Sequence, residues 1–215
     1  MNEGYLRQPP GLRGGTENIM KRVDFGELRR KLDDAITYAD FDLARQLAQQ
    51  GLNSAQSQEL MGEIMYFKAQ QEIIDGNHEE AVNSLDLAVQ YNPSDGAAYN
   101  DRALCLIELR ENEKQVLADF DKGIAVEPDY AGVYHNKGWY LNKLGRHQEA
   151  IPYFEKTLEL EPGRAVTYEN LGNAYLNLGK KQKAVEAFQK AVQCLNPSCS
   201  DIKDQIETQI KILNQ

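Results

Sequence analysis

Side chains able to do covalent or acid–base chemistry are few in this 215-residue chain. The three histidines are His78, His135 and His147. His78 and His147 fall in polar runs that open a helix, where an imidazole is expected to be solvated. The three cysteines are Cys105, Cys194 and Cys199, a sparse and odd number that is no disulfide framework. Cys194 and Cys199 lack a second Cys/His pair nearby, so zinc-ligand spacing is missing. All three read as thiols of a reducing compartment, with Cys105 packed between helices. The adjacent carboxylates Glu79 and Glu80 sit at a helix start, where they favour the positive helix end rather than acid–base work. No phosphate-cradling glycine loop, dinucleotide fingerprint, H-E-x-x-H pair or nucleophile elbow is present. The expectation is a non-enzyme with no catalytic residues, no cofactor and no metal site.

Recognition is the chemistry left open. Asp101, Asn136 and Asn170 recur at gaps of 35 and 34 residues. Amide side chains donate and accept together, so such a row can pair with the backbone of an extended peptide. The same amides could instead bridge neighbouring repeats, and sequence leaves both readings open. Tyr66, Phe67 and the single tryptophan, Trp139, are aromatic types favoured as interface anchors. For Trp139, packing against an adjacent hairpin is the competing reading.

The elements that must position these residues are repeats. Pro93, Pro128, Pro162 and Pro197 are separated by 35, 34 and 35 residues. A fixed period in the mid-thirties indicates stacked supersecondary units. Three turns align: Gly76 to Val82, Gly145 to Ile151 and Gly179 to Val185. Each is a glycine, four polar residues, an alanine and a β-branched residue. The glycine can end one helix in the left-handed conformation, and the alanine allows close helix approach. Four residues after the alanine comes a large apolar residue, Leu85, Phe154 or Phe188. Phe120 fills that slot in the remaining unit. Upstream stand Met65, Tyr99, Tyr134 and Tyr168, each followed four residues later by Ala69, Ala103, Gly138 or Gly172. Residues at i and i+4 share a helix face, which here packs on the second helix of the unit.

This pattern resembles the tetratricopeptide repeat (TPR) family over roughly Gly62 to Pro197. Its fullest form is Tyr168, Leu171, Gly172 and Tyr175, then Ala184, Phe188, Ala191 and Pro197. The second unit departs from it: Leu109 to Lys114 is one residue longer, lacks the turn glycine, and is followed by Val116 in place of alanine. Pro197 comes one residue late. The expected fold is all-α: a right-handed α-solenoid of about five helical hairpins with a C-terminal capping helix. Residues 1–22, with Pro9, Pro10, Gly11, Gly14 and Gly15, read as a flexible tail. Residues 23–61 read as a degenerate hairpin and its connection, and 62–198 as four TPR units. Residues 199–215 read as the capping helix, with Ile202, Ile206, Ile210 and Leu213 on one face.

The resemblance implies that residues one, two, five and nine past the Tyr slot line a concave groove. The groove residues then include Tyr66, Phe67, Gln70, Asp101, Leu104, His135, Asn136, Trp139, Asn170 and Asn173. They grade from apolar in the first unit to amide-rich in the fourth. The amide row is similar to the Asn rows in the TPR superhelix of O-linked sugar transferases. A TPR subgroup that grips acidic chaperone tails uses a carboxylate clamp of Lys, Asn, Asn, Lys and Arg. Starting at the first clear unit, those places hold Tyr66, Gln70, Asp101, Gly132 and Asn136. One unit later they hold Asn100, Leu104, Asn136, Val166 and Asn170, with Asn136 alone matching. A charge-assisted grip on a carboxylate is therefore not expected.

The bulk composition agrees with an interaction module. The net charge of −9, from 24 basic and 33 acidic residues, argues against nucleic-acid binding. No apolar run approaches a membrane span, and the first 22 residues hold no signal-type core. The expected function is a non-enzymatic, cytoplasmic scaffold that binds a protein or peptide partner. A transient client-holding chaperone or targeting factor, or a non-catalytic subunit of an enzyme complex, are the alternatives. A monomer is expected, with self-association open through the apolar first unit.

Overall fold

The computed structural model describes residues 23–196 and 199–215. The expected tail 1–22 and Pro197 lie outside the described residues. Eleven helices and no strand are found among the described residues. They pair as antiparallel hairpins: α1 (Phe25–Thr37) with α2 (Phe41–Ser57), α3 (Met61–Ile74) with α4 (His78–Tyr91), and α5 (Gly96–Glu108) with α6 (Glu113–Val126). Then α7 (Ala131–Lys143) pairs with α8 (His147–Leu160), and α9 (Ala165–Asn177) with α10 (Lys181–Cys194). The last helix, α11 (Ser200–Leu213), packs on α10.

Each hairpin turns at a residue in the left-handed region. Gly76, Gly145 and Gly179 have φ of 79°, 77° and 70°. Arg110 takes the corresponding place in the unit without a turn glycine, at φ 57°. The extra residue of that turn is absorbed before Asn112, whose side chain caps α6 at Lys114 N. Within a hairpin, a small residue on the first helix admits a large one from the second. A Cβ on Gly138 would lie 2.9 Å from the Phe154 ring, and one on Gly172 would lie 2.6 Å from Phe188. Ala69, Ala103, Leu85 and Phe120 make the equivalent fully buried contacts.

The N-terminal hairpin follows the same register with the sizes exchanged. Ala39, at φ 57°, is the turn residue. Leu32, seven residues before it, occupies the small-residue slot, and Ala48 occupies the slot of Leu85 and the phenylalanines. Both are fully buried. Leu28, Leu32, Ala44 and Ala48 share one core cluster with Tyr66, Phe67 and Ala81, so α1 and α2 are continuous with the stack. Gly51 of α2 gives room to Phe67, since a Cβ there would lie 2.3 Å from its ring.

At the other end, α11 lays Ile206, Ile210 and Leu213 on the core of α9 and α10. Ile202 and Ile212 stay exposed at 44% and 63%. Ion pairs stitch helices both within a hairpin and between neighbouring hairpins. Arg102 of α5 holds Asp86 of α4 and Asp119 of α6, both at 2.6 Å, and Lys137 of α7 pairs with Asp121 of α6.

The Gly51 contact yields a test of whether α2 is an integral part of the stack. Gly51→Ala is expected to destabilise the protein by about 1–2 kcal/mol, because overpacking outweighs the gain in helix propensity. Gly163→Ala, with open space around the new methyl, serves as the neutral control. Urea unfolding of both variants measures the difference.

Candidate functional site

The first helices α1, α3, α5, α7 and α9 carry the groove positions, and these close progressively toward the N-terminus. Tyr66, Phe67 and Gln70 on α3 are 1%, 0% and 2% exposed. Their offsets in the sequence assign them to an open apolar end, but the structure buries all three. Phe67 lies under Phe25 of α1, ring centroids 5.8 Å apart. The Arg29 guanidinium of α1 sits 3.6 Å from the centre of the Tyr66 ring. The N-terminal hairpin covers the face that the next repeat would otherwise present to solvent.

Asp101 and His135 are also buried, at 9% and 7% exposed. Asp101 accepts hydrogen bonds from Gln70 Nε2 at 2.6 Å and Asn100 Nδ2 at 2.9 Å. Tyr66 also donates to it. Asn136 Nδ2 donates to Asn100 Oδ1 at 2.9 Å. Gln70, Asp101, Asn100 and Asn136 thus form one chain across α3, α5 and α7. Bridging between repeats is the role the structure gives these amides. His135 Nδ1 and Thr167 Oγ1 share a hydrogen bond of 2.9 Å that continues the bridging to α9.

The remaining groove positions are open. Leu104, Asn136, Trp139, Asn170 and Asn173 are half-buried. Trp139 packs partly on the second and third core clusters, and Lys143 Nζ lies 5.0 Å from its ring centre. Asn170 and Asn173 make no side-chain hydrogen bond among the described residues.

Residues missed by the sequence reading build the closed end. Arg29 and Asp33 stand one and five past Leu28, which holds the Tyr slot of the N-terminal hairpin. Applying the same offsets to that hairpin would have found them. Asp95, Tyr130 and Arg164 stand four before Tyr99, Tyr134 and Tyr168, at the N-caps of α5, α7 and α9. Arg29 donates to both oxygens of Asp95, at 2.9 and 2.8 Å, and to Glu63 at 3.0 Å. Asp33 interacts electrostatically with Asp101, Arg164 and Arg29, so helices four hairpins apart in sequence converge here.

This convergence perturbs ionisation. Burial first, then repulsion from Asp101, raises the Asp33 carboxyl toward neutrality. Burial also raises Asp101, against the hydrogen bonds from Asn100, Gln70 and Tyr66. Burial lowers Arg29, but Tyr66, Asp95 and Glu63 reverse that and hold its pKa above the ordinary value. The Tyr66 phenol is raised well above its usual value by burial and then Asp101, and the Tyr130 phenol by burial and then Asp33. Burial, with Arg164, pushes His135 down to about 3. Among the described residues no cluster of His, Cys, Asp and Glu could hold a metal.

Family models described as tetratricopeptide repeat match residues 75–131 and 129–196. The chain belongs to the tetratricopeptide repeat family. A thermophilic TPR protein from Thermus thermophilus, TTC0263, superposes with a TM-score of 0.67 at 19% identity, covering 86% of this chain and 98% of that one. The first TPR domain of Spaghetti (RPAP3), solved with the HSP90 peptide SRMEEVD, gives a TM-score of 0.53 at 20% identity over 55% of this chain and 94% of that one. The STIP1 homolog of Dictyostelium discoideum is 35% identical over 74 residues, which are 34% of this chain and 13% of that protein. The structural likenesses establish the TPR fold. In TPR register, clamp positions counted from the N-terminal hairpin hold Arg29, Asp33, Phe67, Ala97 and Asp101. Arg29 is the single cation among them, so this register builds no carboxylate clamp either.

The perturbed groups make opposite contributions to pH dependence. For Asp33, the folded pKa is raised, so its stabilising contribution is complete below the ordinary aspartate value and is lost as pH rises toward neutrality. Asp33→Asn is therefore expected to be more stable than wild type at about pH 8, with the difference closing by about pH 4. For His135, the folded pKa is lowered to about 3, so its contribution is lost as pH falls below the ordinary histidine range. His135→Asn is expected to lose stability less steeply between about pH 6 and pH 4 than wild type. Thermal unfolding between about pH 8 and pH 4 measures both.

Proposed function

We propose that this chain is a non-enzymatic scaffold that binds an extended protein segment along its concave groove. The segment lies from Leu104 through Trp139 to Asn170 and Asn173. The observation that carries this reading is the grading of the groove face. Its N-terminal half is filled by the chain's own hydrogen bonds, while α7 and α9 leave a half-buried tryptophan beside two unpaired amides. Amides there can donate to and accept from a peptide backbone, and the indole supplies an apolar anchor. That TPR domains accept peptides is supported by the RPAP3 domain solved with SRMEEVD. The acidic balance of this chain, and the absence of Lys and Arg from the clamp positions of the clear repeats, favour a partner other than an acidic tail.

In this role the chain acts as a monomer in the cytoplasm. Among the described residues no helix is long and apolar enough to cross a membrane. Residues 23–61 act as a degenerate repeat whose α1 closes one end of the groove.

The test is binding of partners captured from source-cell lysate by the intact protein, identified and then titrated individually. Trp139→Ala is expected to weaken binding by roughly tenfold or more, as for central aromatic anchors. Asn173→Ala should weaken it less. Asn136→Ala is expected instead to cost about 1 kcal/mol of folding stability, because it breaks the bond to Asn100. Unchanged affinity in both Trp139→Ala and Asn173→Ala would remove the groove as the site.

A further inference from the structure

The first hairpin presents apolar surface at the start of the stack. Each later hairpin packs on the one before it, whereas α1 and α2 have no such neighbour among the described residues. Tyr38, Phe41 and Leu43 stand within six residues of one another and are exposed at 68%, 47% and 43%. The opposite end differs, because α11 covers α10 there. A cleft of about 320 Å³ opens between α1 and α2 at this edge. Ala35 and Leu47, both buried, line it together with the exposed Tyr38 and Leu43.

The remaining lining groups set its charge. Lys31 Nζ is held by Glu27 at 2.7 Å. Asp40 Oδ1 accepts from Leu43 N at 3.1 Å as the cap of α2. Asp34 has no side-chain hydrogen bond or ion pair among the described residues. The cleft is therefore acidic at its margin and apolar within, with a tyrosine beside it. A basic segment carrying compact apolar residues matches it.

Residues 1–22 have that composition. Arg7, Arg13, Lys21 and Arg22 stand against Glu3 and Glu17 alone, a net charge of +2 in a chain of −9. Pro9, Pro10 and Leu12 lie between Arg7 and Arg13, and Leu6 lies beside them. Consecutive prolines are already restricted before binding and suit an aromatic-lined cleft. The reach is sufficient. Val23 packs on the first core cluster, which fixes where the segment joins α1. The far end of α1, a helix of 13 residues, is about 20 Å away. Residues 14–22 span up to about 30 Å when extended.

We propose that the cleft between α1 and α2 is a docking site for a proline-containing, arginine-flanked segment, and that residues 6–13 of the same chain occupy it. Tyr38 takes the prolines, Leu43 and Leu47 take a leucine, and Asp34 holds an arginine through charge-assisted hydrogen bonds. The segment then covers the first hairpin as α11 covers the last, giving the stack a cap at both ends. This site is separate from the groove, since neither Trp139 nor Asn173 takes part in it.

The probe is a synthetic peptide of residues 4–15, titrated by calorimetry into two full-length chains. One is wild type. The other carries Leu6→Ser, Arg7→Glu, Leu12→Ser and Arg13→Glu, which disable the resident segment. A tethered segment competes at an effective concentration on the order of 1 mM, so the peptide is expected to bind the disabled chain roughly tenfold or more tightly than wild type. Leu43→Ser and Asp34→Lys, both at exposed positions, should each remove that binding while leaving the urea unfolding midpoint near its original value. In a second arm, wild type with p-benzoylphenylalanine in place of Leu12 is irradiated as a mixture of light and heavy-isotope chains. Crosslinks to residues 31–47 within one chain are expected. No binding to the disabled chain, or binding retained in both Leu43→Ser and Asp34→Lys, overturns the site. Equal affinity for the two chains, or crosslinks joining light to heavy chains, overturns the resident segment as its occupant.

Discussion

Close approach of the two helices within each hairpin is the constraint on which the groove depends. Gly138 and Gly172 admit the rings of Phe154 and Phe188 to distances that a Cβ would forbid. That contact fixes the rotation of the first helix about its own axis. Once one face is committed to the second helix, the adjacent face must point inward along the stack. The positions one, two, five and nine past the Tyr slot are thereby aimed at the groove without any direct contact of their own.

The inward face is then subject to a second constraint, because its N-terminal half is too crowded for free polar groups. Charges brought together there must be paired or must neutralise. Arg29 meets the demand by bridging three hairpins, through Asp95, Glu63 and the face of Tyr66. The amides meet it by a continuous chain from Gln70 to Asn136. Asp33 does not meet it. Its carboxyl is raised as a result, and His135 is held neutral by the same crowding. Their opposing pH dependences arise from one cause, desolvation acting on an acid and on a base.

The repeat was legible in sequence because it is a local pattern. Gly76, Gly145 and Gly179 end helices for reasons contained in their own turns, and the Tyr slot and the small residue share one helix. The register of the N-terminal hairpin was obscured by a size exchange, with Leu32 and Ala48 holding slots where small and large residues are expected. The total volume is kept, so the hairpin packs although its signature is lost. What was not legible is the curvature of the stack. Asp33 and Arg164 are separated by 131 positions in the sequence, yet interact. No period encodes that distance, because it accumulates from small rotations at every hairpin interface. Tyr66, Phe67 and Gln70 look like groove residues from their offsets alone, but in the folded chain Tyr66 and Phe67 are buried under α1 and Gln70 is buried against Asp101 of α5.

Closure at one end also explains why the open end differs in character. A groove lined throughout by unpaired charges would repel itself and weaken the stack. Here the ionisable groups are concentrated where neighbouring helices can hold most of them, and α7 and α9 offer Trp139, Asn170 and Asn173 instead. Neutral amides can stay exposed at little electrostatic cost and still pair with any backbone.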